Sequence, residues 1–487
     1  MVDNTAFNIQ TNLLSEIPSL QDDIKWCSVK LSEILDKGKR IEASVFGLDG
    51  RHARELLFDC KHELKNLTGD EGIATAYHRP RFKRVWVEKS EFPIFQPSSI
   101  LDIFPTPDGY VSERTNTDLE QLRVKEGQIL LTCSGTVGKA TIVSKTLANK
   151  IFSHDLIRIT CKDKEDIGFV YAYLKTKIGN MILQTNNYGS VVTHIEPEHL
   201  DHVPIPYPSI IRRREINDLV QESFKLRDES NELIKSAQDL LIDELKLPPL
   251  DELLVDRLSD AVEAYSVKLS NLDNRIDGSY HVPLVDSIVN HISKNSEEIK
   301  FVKDSTVSKK VILPGRFKRI YVEEGNGRVF FGGKQLYELD PSNKKYLSLI
   351  HHGDRIKEQL ELKENMILIT CSGTIGKVSL VPKHWENWTA NQHIIRIVPR
   401  DLNIAGYLYV FLSTEYGKEL INRFTYGSVV DEITDKHVGN IPIPILKNIE
   451  SQKHINDLAL AANEKRFIAY KLEQEAISKI KSIIHEK

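Results

Sequence analysis

The 487-residue chain is poor in cysteine, and its five thiols (Cys27, Cys60, Cys133, Cys161 and Cys371) are scattered. None forms a Cys-x-x-Cys pair, so neither a zinc site nor a disulfide framework is expected. The histidines, His351-His352 included, lack cysteine or carboxylate partners at metal-ligand spacing, and no metal is assigned. No apolar run approaches the roughly eighteen residues that a membrane helix needs. Met1 to Ser19 lacks a basic start followed by an apolar core, so no signal peptide is read there. A cytoplasmic protein without membrane contact is the simplest expectation. An excess of charge of one sign is also missing. The net charge of −4 argues mildly against nucleic-acid binding by itself and shifts the question to local clusters. The rest is 40% hydrophobic and 28% charged, a globular composition whose length suits two or three domains.

What the chain does have is one stretch twice. Ile-Leu-Leu-Thr-Cys-Ser-Gly-Thr-Val-Gly-Lys (Ile129 to Lys139) returns as Ile-Leu-Ile-Thr-Cys-Ser-Gly-Thr-Ile-Gly-Lys (Ile367 to Lys377), 238 residues further on. From Glu126 to Val143, eleven of eighteen positions are identical to Glu364 to Val381, which reads as two copies of one domain. Cys133 and Cys371 are equivalent and read as buried free thiols. Other anchors keep the same order. Ser28 to Ser32 matches Ser266 to Ser270, and Arg81-Phe-Lys-Arg-Val-Trp-Val87 matches Arg316-Phe-Lys-Arg-Ile-Tyr-Val322. Tyr-Gly-Ser-Val-Val occurs at Tyr188 to Val192 and at Tyr426 to Val430, and each unit closes on alternating prolines, Val203 to Pro206 and Ile441 to Pro444.

Between the anchors, Ala140 to Val143 and Ile157 to Ile159 alternate like strands, as do Val378 to Val381 and Ile394 to Val398. Phe169 to Leu174 and Tyr407 to Leu412 carry helical spacing. The stretches 88–125 and 323–363 diverge, and their proline and glycine punctuation predicts loops and short strands. The prolines that close each unit fit an edge strand. A long polar helix follows, with a stripe of Ile216, Leu219, Val220, Leu226, Leu233, Ala237, Leu240 and Leu241, stopped by Leu247-Pro-Pro249. The chain end repeats it: Ile455-Asn-Asp-Leu458 echoes Ile216-Asn-Asp-Leu219, and Ala469, Leu472, Ala476, Ile480 and Ile483 form a seam for a partner helix.

The expected fold is α+β: two tandem mixed α/β domains, separated by and followed by long helices that pair as an antiparallel coiled coil about a pseudo-two-fold. The boundaries read as a lead over 1–25, a first domain over 26–208, a central helical region over 209–262, a second domain over 263–446 and a terminal helix over 447–487. Residues 251–264 read as a short helix and hinge. A helix of ~35 residues spans about 50 Å, and a DNA turn is about 34 Å. Like domains held at that separation suit a split target on duplex DNA.

The duplicated Ser-Gly-Thr-x-Gly-Lys motif, the Asn391-Gln392-His393-Ile394 segment, Tyr-Gly-Ser-Val-Val and the Ile-Pro-Ile-Pro exit into a long helix together resemble the specificity subunits of type I restriction–modification enzymes. The resemblance covers about residues 26–487. It implies target-recognition domains that each read half of a bipartite DNA site, and paired helices that act as ruler and as docking platform for two methyltransferase subunits. Catalysis would belong to partners: S-adenosylmethionine on the methyltransferases, and ATP and Mg on restriction/translocase subunits where cleavage occurs. This chain would carry no cofactor and no catalytic residue. It departs from the family where the first copy has Ser153-His154-Asp155 in place of Asn391-Gln392-His393, and where the helix entries lack a shared Pro-Pro…Glu-Gln turn.

The residues agree that the chain is not an enzyme. Asn/Asp-Pro-Pro-aromatic is absent, as is a glycine-rich cofactor loop. Gly135 and Gly138 are too close for a P-loop. Glu244-Leu-Lys246 has the local form of a nuclease motif without the supporting Pro-Asp. Two readings of a different class stay open: a specificity-like subunit of a combined nuclease–methyltransferase, and a scaffold in another phage-defence complex. Ser-Gly-Thr-x-Gly-Lys is either a tight turn or a turn that offers Thr136 and Lys139, and Thr374 and Lys377, to phosphate. The basic runs Arg81, Lys83, Arg84 and Arg316, Lys318, Arg319 are solvated faces or phosphate contacts, as are Tyr188 and Tyr426. Their likeness between copies argues against base reading. Base readers belong in the unlike stretches, with Arg51, His52, Arg54, Lys334, Gln335, Asn343, Lys344 and Lys345 as candidates. For the helices, Ile216, Leu219, Leu233, Leu240, Ile455, Leu458, Leu472 and Ile480 are the candidate partner-binding residues.

Overall fold

A computed structural model describes residues 28–36, 41, 46–185, 193–253, 266–272 and 275–487. The expected lead over 1–25, Tyr188 with its Tyr-Gly-Ser-Val-Val segment, and all but the first residues of the 251–264 helix and hinge lie outside the described residues. The first unit contains β1 (Leu64–Asn66), β2 (Ala74–Tyr77), β3 (Trp86–Val87), β4 (Pro93–Phe95), β5 (Gly109–Val111), β6 (Ile129–Thr132), β7 (Ala140–Ile142), β8 (Ile151–Phe152), β9 (Leu156–Cys161) and β10 (Pro204–Pro206). The strands assemble in the orders β2-β9-β6-β7, β3-β5-β4-β8 and β1-β10. The second unit contains β11 (Glu298–Phe301), β12 (Ser308–Ile312), β13 (Tyr321–Val322), β14 (Gly327–Phe331), β15 (Lys345–Ser348), β16 (Ile367–Thr370), β17 (Val378–Leu380), β18 (Thr389–Ala390), β19 (Ile394–Pro399) and β20 (Pro442–Ile445). Its orders, β12-β19-β16-β17, β13-β15-β14-β18 and β11-β20, repeat the first unit strand for strand.

The unbroken apolar run of the repeated motif has a simple origin. Side chains of a strand alternate between its two faces. Ile129 and Leu131 of β6 enter the core beneath the helices, while Leu130 enters a second core with Phe95 and Phe152. In β16, Ile367 and Ile369 face the helices and Leu368 packs with Phe331 and Trp385. A strand buried on both faces has no polar side to show. On β9 and β19 the second face carries a fully buried arginine. Arg158 donates to the carbonyls of Leu122 (3.2 Å) and Phe152 (3.4 Å). Arg396 donates to Asn391 (3.1 Å) and Leu360 (3.4 Å). Each guanidinium ties the second sheet and its loops to the first, and burial pushes Arg158 down to about 10 and Arg396 to about 9.

Helices α1 (Leu48–Phe58), α2 (Ile167–Lys175), α3 (Lys177–Thr185) and α4 (Ile210–Leu245) belong to the first half; α5 (Pro283–Asn295), α6 (Leu349–Arg355), α7 (Leu402–Ser413), α8 (Glu415–Asn422) and α9 (Ile449–Ile484) belong to the second. α2 and α7 are apolar nearly all round because each is sandwiched between its sheet and the long helices. The repeated Ile-Asn-Asp-Leu explains how. Asn217 and Asn456 accept hydrogen bonds from the backbone N–H of Gly168 and Gly406, both at 2.9 Å. Those glycines sit so close to the long helix that an added Cβ would lie 2.8 Å from Asn217 Cα or 2.3 Å from the Asn456 carbonyl oxygen. α6 is the one clear departure from the loops and short strands expected over 323–363. Its entry is capped by the Ser348 side chain, and with Gly353 inside it runs on into a π-helical turn over Ile356–Leu360, whose wider winding breaks the regular helical period.

α4 and α9 are 36 residues each, about 54 Å long, and run antiparallel as their stripes predict. Lys479 meets Glu215 and Lys465 meets Glu229, both at 2.7 Å, and Ser451 donates to Glu244 at 2.6 Å. The first unit's core takes Ile216, Val220 and Phe224 from the start of α4 and Ala476, Ile480, Ile483 and Ile484 from the end of α9. The second unit's core takes Ile234, Ala237, Leu241 and Leu245 with Ile455, Ala459 and Ala462. The two units therefore flank opposite ends of one helix pair.

Candidate nucleic-acid interface

In each unit, four motifs that lie far apart in sequence converge. The basic run (Arg81–Arg84, Arg316–Arg319) is the crossover that leaves the first sheet after β2 or β12 and enters the second at β3 or β13. Beside it lies the entry to β9 or β19, with His154 or His393. Burial together with Arg84, Arg81 and His78 depresses the His154 imidazole, against the pull of Asp155. Burial with Arg319 and Arg316 does the same to His393. Phe82 meets His154 edge-on at 5.7 Å. In the second unit Arg319 bonds Gln392 at 2.8 Å and Arg316 bonds Glu432 at 3.0 Å. Glu432 in turn bridges to Ser372 in the repeated turn, as His194 bridges to Ser134 in the first unit.

The turn itself is built by its glycines and a threonine. Gly135 and Gly138 have φ of 70° and 95°, and Gly373 and Gly376 have 76° and 83°, a region other residues adopt at a cost. The Thr132 and Thr370 hydroxyls accept from the N–H of Lys139 and Lys377, both at 3.0 Å. The tip is exposed, with Thr136 and Thr374 at its apex.

The predicted site residues divide accordingly. Arg81, Lys83, Arg316 and Lys318 are exposed, Arg84 and Arg319 are half-buried, and Tyr426 is exposed next to the turn. The Arg84 guanidinium lies over the rings of Phe82 and Trp86. Lys139 and Lys377 point the other way, off the exposed tip. Lys139 pairs with Glu338 of the second unit at 3.3 Å, and Lys377 with Asp102 of the first at 4.0 Å. Among the candidate base readers, His52, Lys334, Asn343 and Lys345 are exposed. Arg51 and Arg54 are held by Ser28 and His202 carbonyls, Gln335 caps Gly332, and Lys344 pairs with Asp340. These four are engaged within the chain. The partner-binding stripe is likewise used internally: Ile216, Ile455 and Ile480 are fully buried, and Leu219, Leu233, Leu240, Leu458 and Leu472 pack against the units' cores or the helix junction. An apolar stripe consumed by its own chain leaves the polar outer faces of α4 and α9 for any partner. Glu244 serves the helix pair through Ser451, and Lys246 is a left-handed cap with φ of 49°.

Sequence reasoning missed His154, Gln392, His393 and Glu432 as members of the cluster, and Asp102 and Glu338 as lysine partners. His154, Gln392 and His393 stood in quoted segments that no local signal linked, and Glu432 lies two residues beyond Val430. The carboxylates lie in the unlike stretches, 199 residues from Lys139 in the case of Glu338.

Among the described residues no helix is long and apolar enough to cross a membrane. Cys133 and Cys371 are buried, free thiols, and burial pushes both up to about 12.

Residues 88–235 and 353–458 match the family described as type I restriction modification DNA specificity domain, and the two segments make up just over half of the chain. No curated protein matches. Similar solved structures include a type I restriction-modification system S subunit from M. genitalium, at 12% identity and a TM-score of 0.34, covering 88% of this chain and 96% of that one. The HsdS subunit from Thermoanaerobacter tengcongensis is 14% identical with a TM-score of 0.26, covering 86% and 99%. A chain from a structural study of type I R-M complex assembly and conformational transition is 15% identical with a TM-score of 0.27, covering 88% and 96%. By the family match and the duplicated motifs that carry it, the chain belongs to the type I restriction modification DNA specificity family, and its role is DNA recognition.

Proposed function

We propose that each unit reads one half of a bipartite DNA sequence and that the outer faces of α4 and α9 carry methyltransferase subunits. The observation that supports this best is the pairing of like sites: one basic crossover beside one exposed glycine turn in each unit, at opposite ends of a single antiparallel helix pair. Arg81, Lys83, Arg84 and Thr136, with Arg316, Lys318, Arg319, Thr374 and Tyr426, take phosphate-positioning roles because they recur in both units. Tyr188 joins them by its place in the repeat. Sequence choice falls to side chains that differ, with the exposed His52, Lys334, Asn343 and Lys345 as the base-reading candidates. Methylation of adenine is the work of the partners and their S-adenosylmethionine. Cleavage, where it occurs, needs a further subunit with ATP and Mg. The domains over 26–208 and 263–446 are the recognition units in this reading.

Mapping methylated adenines in DNA from cells that express the chain with its methyltransferase tests the reading. Two half-sites at a fixed gap are expected; methylation without sequence preference overturns it and favours the scaffold alternative. In binding assays on the assembled complex, Lys83→Ala should weaken every sequence alike and lower the salt slope by about one.

A further inference from the structure

The two units touch each other over the middle of the helix pair, and the contact is reciprocal. Lys139 closes the repeated turn of the first unit and reaches Glu338 of the second; Lys377 closes the second turn and reaches Asp102 of the first. Asp102 and Glu338 face each other in an antiparallel bridge between the units, and the N–H of Ile103 donates to the carbonyl of Tyr337 at 2.8 Å. Both carboxylates are almost wholly buried, with side-chain exposures of 6% and 3%. The segments are anchored to the helices beneath. Asn231 of α4 donates to the Ile103 carbonyl at 3.0 Å, and Gln474 of α9 donates to Asp340 at 3.3 Å. Leu339 shares an apolar cluster with Leu226 of α4 and Ala469 of α9, and Ile103 packs on it. Four parts of the chain meet at one node.

Such a node restricts what the helices can do alone. Two domains tethered only by their ends of a helix pair would rock, and the separation of their DNA-facing turns would spread. With the node closed, the turn that carries each exposed tip is tied through its own lysine to the opposite unit. Any change in the spacing of the tips must pull a lysine away from a buried carboxyl group of the opposite unit. The lysines are common to the two repeats because the contact uses each once.

We propose that Lys139–Glu338, Lys377–Asp102 and the Asp102–Phe104/Tyr337–Asp340 bridge form a latch that fixes the separation of the two half-site readers, so that the latch sets the gap of the recognised sequence together with helix length. These are positioning residues: they touch no base. The proposal rests on the bipartite reading above.

The test uses the complete chain with its methyltransferase and a DNA library in which the gap between the wild-type half-sites varies. Wild type should methylate one gap. Lys139→Ala with Lys377→Ala should keep both half-sites and methylate gaps one base pair longer and shorter, with the off-gap fraction rising at least 10-fold. The swap Lys139→Glu with Glu338→Lys should return to the single gap, which lost phosphate contacts could not produce. An unchanged single gap in the double variant overturns the latch while the bipartite reading stands; a wild type with no bipartite site overturns the reading itself. A second measurement needs no DNA. Distances between spin labels at Glu71 and Lys363 should be narrowly distributed in wild type and the swap, and broadened in the double variant; equal widths overturn the proposal.

Discussion

Arg227 of α4 and Arg466 of α9 stand at equivalent positions of the two long helices, and their surroundings are opposite. Arg227 bonds Glu473 at 2.7 Å; Lys175 lies 3.8 Å from the same carboxylate, and the Tyr171 hydroxyl donates to it. Burial works to raise the Glu473 carboxyl, yet Arg227, Lys175 and the Tyr171 hydroxyl overrule it and hold it at about 2. Arg466 is buried more deeply than Arg227, but the place of Glu473 in its half is taken by Ile234. Its Nε reaches Ser230 at 3.4 Å, its guanidinium lies 4.9 Å from the Phe104 ring, and one terminal nitrogen has no hydrogen-bond partner among the described residues. One repeat pairs its arginine with a buried carboxylate, and the other sets it against an aromatic face with no carboxylate partner among the described residues. The helices are alike enough to pair, and they differ at the node where the two units meet.

The comparison can be broken from either side. Glu473→Leu strands Arg227 and Lys175 in the core and should cost about 3–5 kcal/mol in urea denaturation, whereas Arg466→Leu should cost under about 1 kcal/mol and could not exceed the Glu473 loss if the asymmetry is as described. The next effect concerns the other charges at the node. Burial pushes Asp102 from 3.8 up to about 7, with Lys377 and Lys139 opposing and Glu338 reinforcing the shift. A carboxyl that keeps its proton longer in the folded chain stabilises it fully below pH ~4 and loses that contribution as pH rises through about 7. Stability should therefore fall between about pH 4 and pH 7, by on the order of 4 kcal/mol, and Asp102→Asn should flatten that part of the profile. The turns offer a smaller contrast. Gly138→Ala would press a Cβ to 2.6 Å from Asn180 Nδ2, against 3.3 Å from Asn422 Oδ1 for Gly376→Ala. Both should destabilise by about 1 kcal/mol for the positive φ, with Gly138→Ala the worse by thermal denaturation. Smallest should be the difference between Asn217→Ala and Asn456→Ala. Asn217→Ala removes the bond from Gly168, and Asn456→Ala removes those from Gly406 and Tyr407; at about 1 kcal/mol per bond, Asn456→Ala should cost slightly more in thermal denaturation.

Much of this was legible from residues alone. The duplication, the apolar stripes and the helix termination at Leu247-Pro-Pro249 are local or periodic signals, and they predicted the antiparallel pair and the two like units. Asn217 and Asn456 were visible as an echo, though not as the joint they form. The direction of Lys139 and Lys377 was not legible. A lysine after a glycine turn reads the same whether it faces phosphate or a carboxylate on another domain, and Asp102 and Glu338 carry no mark in their own neighbourhoods. The stripe residues were read both as the seam of the helix pair and as partner-binding positions, because a one-dimensional pattern records that a face is covered and not by what.

The two large cores under the long helices are assembled from distant parts of the chain. The first unit is closed by Ala476, Ile480, Ile483 and Ile484 of α9, more than 250 residues beyond its own last strand, which ends at Pro206. During synthesis, at ~5–20 residues per second, its sheet would wait tens of seconds with that face bare. The unit made first is thus finished last, and aggregation of partly made chains should depend on how soon the terminal helix arrives.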